Sequence, residues 1–515
     1  VTASEALPTG GAGTIGSGTK TRPVRCWLPE SPPHLDPHGG VDESSMRLHA
    51  AMFEGLFRPG PDGEAVPALA ETVRVSRDGL TVDITLRREA YWSDGVPVTA
   101  QHFQVCVERA LEPGTPLRAA WQMYPIRGAR ERHRGEAGPE LGLELRSDRE
   151  LRLSLAEPMP RLGELLMLPA LAPLRPDRLP PLTSALTAEG ATAADAAALT
   201  DWWLSAPVSG PYRPARLSAG DHYGYLRNES HWDAERMPPH PLEFRIGGDP
   251  LDRYARGEVD LAWVDAQRLA ERGSADTTVV TEGTTVFAVV NCGRAEFADQ
   301  RIRDALAYSL DRERWVAESR SLALPLTRLV PRTPGSAGYL SAYPLAAPGG
   351  SPQPLLRGST LTLSCGNSAD RLREATALAD QLAQGTGATV ELRPLPSFDL
   401  YWSVKRGDYQ LALLAWRADF DDPLACLREH VSNGAAGNQS KWSDPAYDEL
   451  IARARRTPEG AKRSPLLAEA ERRVLDHHAV LPLGQHRKAW LIRPGLSGMV
   501  FRATGTAVDS RWARW

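Results

Sequence analysis

The spacing of apolar residues along this chain predicts a mixed run of strands and helices that turns into regular alternation near residue 361. Residues 80–86 alternate strictly, with Leu80, Val82, Ile84 and Leu86 on one face and Thr81, Asp83 and Thr85 on the other, as in a half-buried strand. Residues 141–155 give two more alternating strands around a turn at Ser147-Asp148. Met46, His49, Ala50, Phe53, Leu56 and Phe57 recur instead at helical spacing, behind a cap supplied by Asp42 or Ser44. Thr99 caps a helix over 100–111, and Asp299 caps one bearing Ile302, Ala305, Leu306 and Leu310. Residues 320–358 form a long connection rich in Pro and Gly. Beyond it, strands at 361–365, 389–392 and 409–416 alternate with helices at 370–384 and 400–406. Helices at 445–455 and 465–475 and strands at 480–483 and 489–492 complete the chain. Such βαβ units point to an open sheet with parallel strands, in which ligands bind beyond strand carboxyl ends. An α/β region following a mixed α+β region argues for separate lobes with a cleft between them.

The apolar run 409–414 is of the kind expected for a strand buried on both faces, and it leads into Ala415-Trp-Arg-Ala-Asp-Phe-Asp-Asp-Pro423. Three carboxylates, Asp419, Asp421 and Asp422, therefore collect where a buried strand stops, and charges that are costly to desolvate need a local role. Asp421 or Asp422 can cap a helix with Pro423 at its first position. Asp419 lies too early to cap it, which marks this carboxylate as a candidate anchor for a positively charged ligand group.

Composition adds mainly exclusions. A chain of 515 residues can bury a large core, and 42% hydrophobic and 24% charged residues are ordinary globular values. A net charge of −4 gives no support for nucleic-acid binding. No window approaches the apolar length of a membrane span, and the chain as given lacks the basic start and apolar core of a signal peptide. Cys26, Cys106, Cys292, Cys365 and Cys426 show no CxxC spacing, which excludes both a zinc framework and a dense disulfide scaffold. Gly11-Ala-Gly-Thr-Ile-Gly16 fits GxGxxG, and Gly13 to Lys20 nearly fits a P-loop, but no strand precedes either and Pro23 follows soon after. Residues 1–20 read instead as a flexible tether.

Several motifs fall in a distinctive order: Leu35-Asp-Pro-His38; Met52-Phe-Glu-Gly-Leu-Phe57; Tyr91-Trp-Ser-Asp-Gly95 with Pro97-Val-Thr-Ala100; Ser209-Gly-Pro-Tyr212; Arg256-Gly-Glu-Val-Asp260; Phe297-Ala-Asp-Gln-Arg-Ile-Arg-Asp-Ala-Leu306; Asp419-Phe-Asp-Asp-Pro423; and Trp442-Ser-Asp-Pro-Ala-Tyr-Asp448. Together, across residues 24–515, they resemble the large peptide-type solute-binding proteins of ABC importers, extracellular solute-binding protein family 5. The resemblance implies a mixed α/β (α+β) fold: a two-lobed periplasmic-binding-protein clamshell with an extra domain and a ligand cleft between the lobes. Lobe I would comprise 21–60, 201–285 and 488–515, with an extra domain, 61–200, packed on it; lobe II would be 286–487. Asp419 aligns with the family carboxylate that pairs with a peptide's α-amino group, and Trp416, Arg417 and Ala418 flank it, the backbone of the last two binding the ligand's main chain as an added strand. Ser397, Tyr401, Gln485 and His486 fall at further cleft positions. Ser397 stands where typical relatives carry Trp, Val404 and Leu413 replace basic residues that receive ligand carboxylates, and Gly484-Gln485-His486 replaces an aromatic run.

The resemblance implies an extracytoplasmic or periplasmic protein that captures a peptide or peptide-like solute bearing an amine and hands it to an ABC permease. It would act as a monomer without cofactor, metal or nucleic acid, with any lipid anchor outside the given chain. A ligand-sensing receptor for a non-peptide solute, uncoupled from import, is the alternative. His34 and His38 flank Asp36 in a loop near the expected cleft, and His34 is a candidate ligand contact. No acid, base and nucleophile assemble from spacing, so catalysis is not expected. His477 and His478 are helix neighbours that point different ways.

Overall fold

Among the described residues, the largest sheet has eleven strands. The computed structural model describes residues 21–515 apart from 33–34, 41, 114–117, 182–192, 219–220, 266–267, 271–275, 346–348, 419, 433–437 and 459. Numbered along the chain, the strands of this sheet are β1 (Val24–Leu28), β2 (Tyr212–Ser218), β3 (His222–Arg227), β4 (Leu242–Ile246), β5 (Leu261–Val264) and β6 (Thr277–Val290), then β7 (Leu324–Pro325), β8 (Thr360–Gly366), β9 (Thr389–Leu395), β10 (Leu411–Arg417) and β11 (Val480–Ile492). Their spatial order is β9-β8-β10-β6-β11-β5-β1-β4-β3-β2, with β7 attached to β11. The pairs β8–β9, β8–β10, β1–β4 and β1–β5 are parallel, while β6 is antiparallel to both β10 and β11. A separate four-stranded antiparallel sheet holds Ala70–Val75, Thr81–Leu86, Leu143–Leu145 and Glu150–Ser154.

Strand periodicity explains how the sheet carries a core on each of its faces. In β6, Val286, Ala288 and Val290 enter one core with Leu363, Leu378 and Leu481, whereas Phe287 and Val289 enter another with Leu427, Tyr447 and Val474. Successive side chains point to opposite faces, so a segment covered by helices on both sides is apolar at every position. A third, larger core joins Leu28, Ile84, Phe103, Trp203, Phe244 and Trp490, binding the four-stranded sheet to β1 and β4. The molecule is thus a mixed α/β, two-lobed clamshell.

Strands β6 and β11 link the cores. Their antiparallel ladder runs from Thr277 opposite Leu491 to Val289 opposite Val480, with register shifts between Thr281 and Thr285 and between Val286 and Phe287. The first shift leaves Glu282-Gly283-Thr284 out of the ladder, between residues that pack in different cores. The freed backbone is satisfied elsewhere: Gly283 donates to the Ala503 carbonyl at 2.8 Å and accepts from the Ala418 N–H at 3.0 Å. A Cβ at Gly283 would stand 3.0 Å from that Ala503 oxygen, tight enough to favour glycine.

Several sequence expectations change in detail. The two late strands are one continuous β11, and the buried strand expected over 284–290 starts at Thr277, because the two pair with each other. Residues 337–342 of the long connection form a helix. Asp42 caps the helix Glu43–Met52 by accepting from Ser45 N, and Asp422 caps Pro423–Leu427 through Leu424 N. Asp421 instead accepts from Gly335 N at 2.7 Å and from the Thr333 hydroxyl. All five cysteines are free. No helix among the described residues is long and apolar enough to cross a membrane. The glycine-rich motifs and the expected tether in 1–20 lie outside the described residues.

Candidate functional site

A cavity of about 390 Å³ opens where the two lobes meet, within the range that takes a small ligand. The end of β5 supplies residues 263–265 from one side, and residues 319–322 and 368–374 supply the other. Between them β6 contributes Glu282 and Thr284, β10 contributes Arg417, and β11 contributes residues 486–488.

Local sequence explains each contribution. The helix Arg312–Ser319, α1, is closed by Arg320 in the left-handed conformation, φ 52°. Glycine is the usual residue there, and an L side chain costs about 1 kcal/mol or more. The turn brings residues 320–322 to the cavity wall. Ser368 caps the helix Ala369–Thr386, α2, directly after β8. Its first turns place Asp370, Arg371 and Glu374 at spacings of three and four, on one face.

Charge is dense here and largely paired within the protein. Arg371 Nη1 lies 2.7 Å from Glu374 Oε2, and His486 Nε2 lies 3.3 Å from that guanidinium and 3.5 Å from Glu374 Oε1. Burial alone would raise the Glu374 carboxyl, but His486 and Arg371 outweigh it and hold it at about 2. Arg417 Nη1 meets Glu282 at 3.1 Å, and Lys488 Nζ reaches the same oxygen at 3.4 Å while also pairing with Glu43. Arg487 Nε donates to the Leu322 carbonyl at 2.6 Å. Asp370 pairs with Arg373; burial, and then the Asp265 charge across the cavity, push its carboxyl up. The β5 side thus brings the acid Asp265, while the facing side and the strands between bring both acids and bases.

Of the residues singled out from sequence, the structure brings Arg417 and His486 to this cavity. Trp416 is half-buried one position before Arg417 and packs on the core containing Val289 and Tyr447. Ala418 is buried, its N–H on Gly283 and its carbonyl accepting from Gly505 N at 3.3 Å. Gln485 is fully buried, donating to the carbonyls of Glu282 and Arg332 at 2.8 Å each and accepting from Arg332 N at 2.9 Å. Ser397 and Tyr401 lie exposed on the helix Ser397–Arg406, α3, outside the cavity lining, while Val404 and Leu413 are core residues. Asp419 and His34 lie outside the described residues. His38 is buried, 2.9 Å from Arg109 Nη1 through Nδ1 and 3.4 Å from the Cys106 sulfur through Nε2.

Asp265, Arg320, Asp370, Arg371, Glu374, Arg487 and Lys488 line the cavity without having been marked in the sequence. For Asp370 and Arg371 a signal existed: they follow the carboxyl end of β8, the same kind of position that drew attention to Asp419. Asp265 likewise follows β5, and Glu374 lies one turn beyond Arg371 in α2, but Arg320, Arg487 and Lys488 come from segments distant in sequence, and only tertiary packing unites them.

Comparison with known proteins places these features in a group. Residues 64–438 match the family model described as bacterial extracellular solute-binding proteins, family 5 Middle. The chain is 25% identical over 535 residues to the oligopeptide-binding protein OppA of Bacillus subtilis (strain 168), covering 96% of this chain and 94% of that relative. It is 26% identical over 496 residues to the periplasmic oligopeptide-binding protein OppA of Salmonella typhimurium, covering 90% and 87%. Among solved structures, the substrate-binding domain of an oligopeptide ABC transporter from Bacillus anthracis superposes with a TM-score of 0.78 at 22% identity, covering 96% and 99% of the two chains. The Escherichia coli murein tripeptide binding protein MppA gives 0.78 at 23% identity, covering 96% and 98%.

Proposed function

We infer what this chain does from its kinship, for it belongs to the bacterial extracellular solute-binding proteins of family 5. It captures a peptide or peptide-like solute bearing an amine in the cleft between its lobes and delivers it to an ABC permease. The observation that carries this reading is the cavity between the lobes, whose acidic and basic lining side chains offer counter-charges to a zwitterion. The oligopeptide-binding relatives support the solute class.

Lobe I consists of 21–60, 201–285 and 488–515, the domain 61–200 packs on it, and lobe II is 286–487; the separation of the cores on either side of Gly283 supports this division. Asp419 anchors the ligand amine. Ligand binding shifts an open–closed equilibrium, and the closed form is what the permease recognises. The protein acts as a monomer that binds without turnover, outside the cytoplasm, held at the membrane by any lipid anchor beyond the given chain.

Calorimetry with trialanine tests the anchor. Asp419→Ala weakens binding roughly thirtyfold or more, the cost of leaving an enclosed ammonium without its partner. Unchanged affinity removes Asp419 from the site, and turnover of the peptide by purified protein overthrows the binding-protein reading.

A further inference from the structure

Two contacts join segments that pack in different cores. Leu162 and Leu165 belong to the core that holds Phe103 and Trp203, and between them Glu164 Oε2 accepts from the Asp421 N–H at 2.8 Å. Beyond Asp421, Leu424 and Leu427 pack in the other core, with Val289 and Tyr447. Earlier in the same segment as Glu164, Glu157 pairs with Arg455 of the helix Pro445–Arg456, whose Tyr447 and Ile451 lie in that second core. The turn after β10 is therefore gripped at both ends from outside its own core: the Ala418 carbonyl by Gly505 N at 3.3 Å, and Asp421 N by Glu164. Thr504 Oγ1 donates to the same Glu164 oxygen at 3.2 Å, and Arg502 Nη2 lies 3.8 Å from it. Burial raises the Glu164 carboxyl above its ordinary value, against the lowering by the Asp421 N–H and Arg502.

We propose that Glu164 is a positioning residue for solute capture: it clamps the turn after β10 from the opposite lobe, so that the turn is fixed only when the lobes close. The proposal rests on the reading above, in which this turn carries the amine anchor, and adds the residue that ties its placement to closure. A carboxylate accepting a backbone N–H makes a charge-assisted bond, stronger than one between neutral groups. A contact made in the closed arrangement and lost in the open one favours the closed state by its own free energy. The bond forms after the solute has entered, so it slows release more than it speeds encounter. Groups held against a burial penalty, as Glu164 is, also gather at functional positions.

The test compares the native protein with Glu164→Ala and Glu164→Gln, by stopped-flow tryptophan fluorescence with trialanine and by hydrogen exchange at the Asp421 amide. Glu164→Ala releases trialanine about tenfold faster with association changed less than about threefold, while Glu164→Gln, which keeps an acceptor oxygen, stays closer to native. In Glu164→Ala the Asp421 amide exchanges about tenfold faster or more, while amides of the strand Thr81–Leu86 keep their native rates, which separates loss of the clamp from loss of the fold. Native release kinetics in Glu164→Ala, or equal losses in the two variants, overturn the positioning role. An Asp421 amide that keeps its native rate in Glu164→Ala overturns the clamp whatever the kinetics. If trialanine does not bind the native protein, or Asp419→Ala leaves its affinity unchanged, the anchor reading fails by itself. Exchange then decides the clamp alone: a faster Asp421 amide in Glu164→Ala upholds it, and an unchanged one overturns it.

Discussion

Asp36 shows how a buried charge is held in this fold. It is fully enclosed, accepts a bidentate contact from Arg109, and takes the His38 N–H at 2.9 Å. Burial would raise its carboxyl, but Arg109 and then His38 more than offset that and keep it below the ordinary value. The pair connects the N-terminal segment to a helix beside the four-stranded sheet, the helix Ala100–Ala110. Asp36→Ala strands an enclosed guanidinium and costs about 3–5 kcal/mol, to be read from urea denaturation. The triplet Leu35-Asp-Pro was visible in the sequence as part of a motif, yet nothing at Asp36 announced Arg109, whose position 73 residues away becomes relevant only on folding.

At the scale of elements, local chemistry was the legible part. The caps at Asp299 and Asp422 lie where side-chain oxygens precede apolar periodicity, and both accept the expected backbone N–H groups. Asp422 does more than cap: its second oxygen pairs with Arg463 Nη2 at 2.9 Å, and both side chains are nearly enclosed. Asp422→Asn keeps a capping oxygen but loses the charge, whereas Asp422→Ala loses both. Thermal melts therefore rank the alanine variant below the asparagine variant, with the alanine change costing about 3 kcal/mol. Strand extents were harder to read. Residues 277–281 lack an apolar run, because that part of β6 lies partly exposed and is held by pairing with β11 rather than by burial. The apolar run ending in Trp416 is buried at 411–413, then opens at Leu414 and Ala415 as the strand emerges toward the cleft. Cavity-lining residues were mostly illegible, since Leu322 and Arg487 are separated by 165 positions and meet through one hydrogen bond.

Across the whole molecule, acid sensitivity is built into histidines buried without charge. Burial lowers His38 to about 3, His102 to about 4 and His430 to about 4, so these groups are neutral in the native protein at pH 7. In the unfolded chain each titrates near the ordinary value of about 6.5. Between the two values the unfolded state binds more protons, so the stability present above about pH 6.5 is lost as pH falls through the native values. By pH 5 each has cost up to about 2 kcal/mol of that stability, and the thermal midpoint drops from pH 7.5 to pH 5.0 at constant ionic strength. A midpoint that holds or rises over that range contradicts the assignment of these groups as buried and neutral.

The ladder between β6 and β11 also has a genetic consequence. Val286 stands opposite Gly484, one strand spacing away, about 5 Å. The segment 287–483, which includes the far end of this ladder, therefore begins and ends at adjacent points. Exchanging such a module leaves the rest of the ladder in register, because its ends need no repositioning. A jaw carrying Arg320, Asp370 and Arg371 can be grafted between relatives as a cassette, with its charge pattern traded independently of the jaw that holds Asp265.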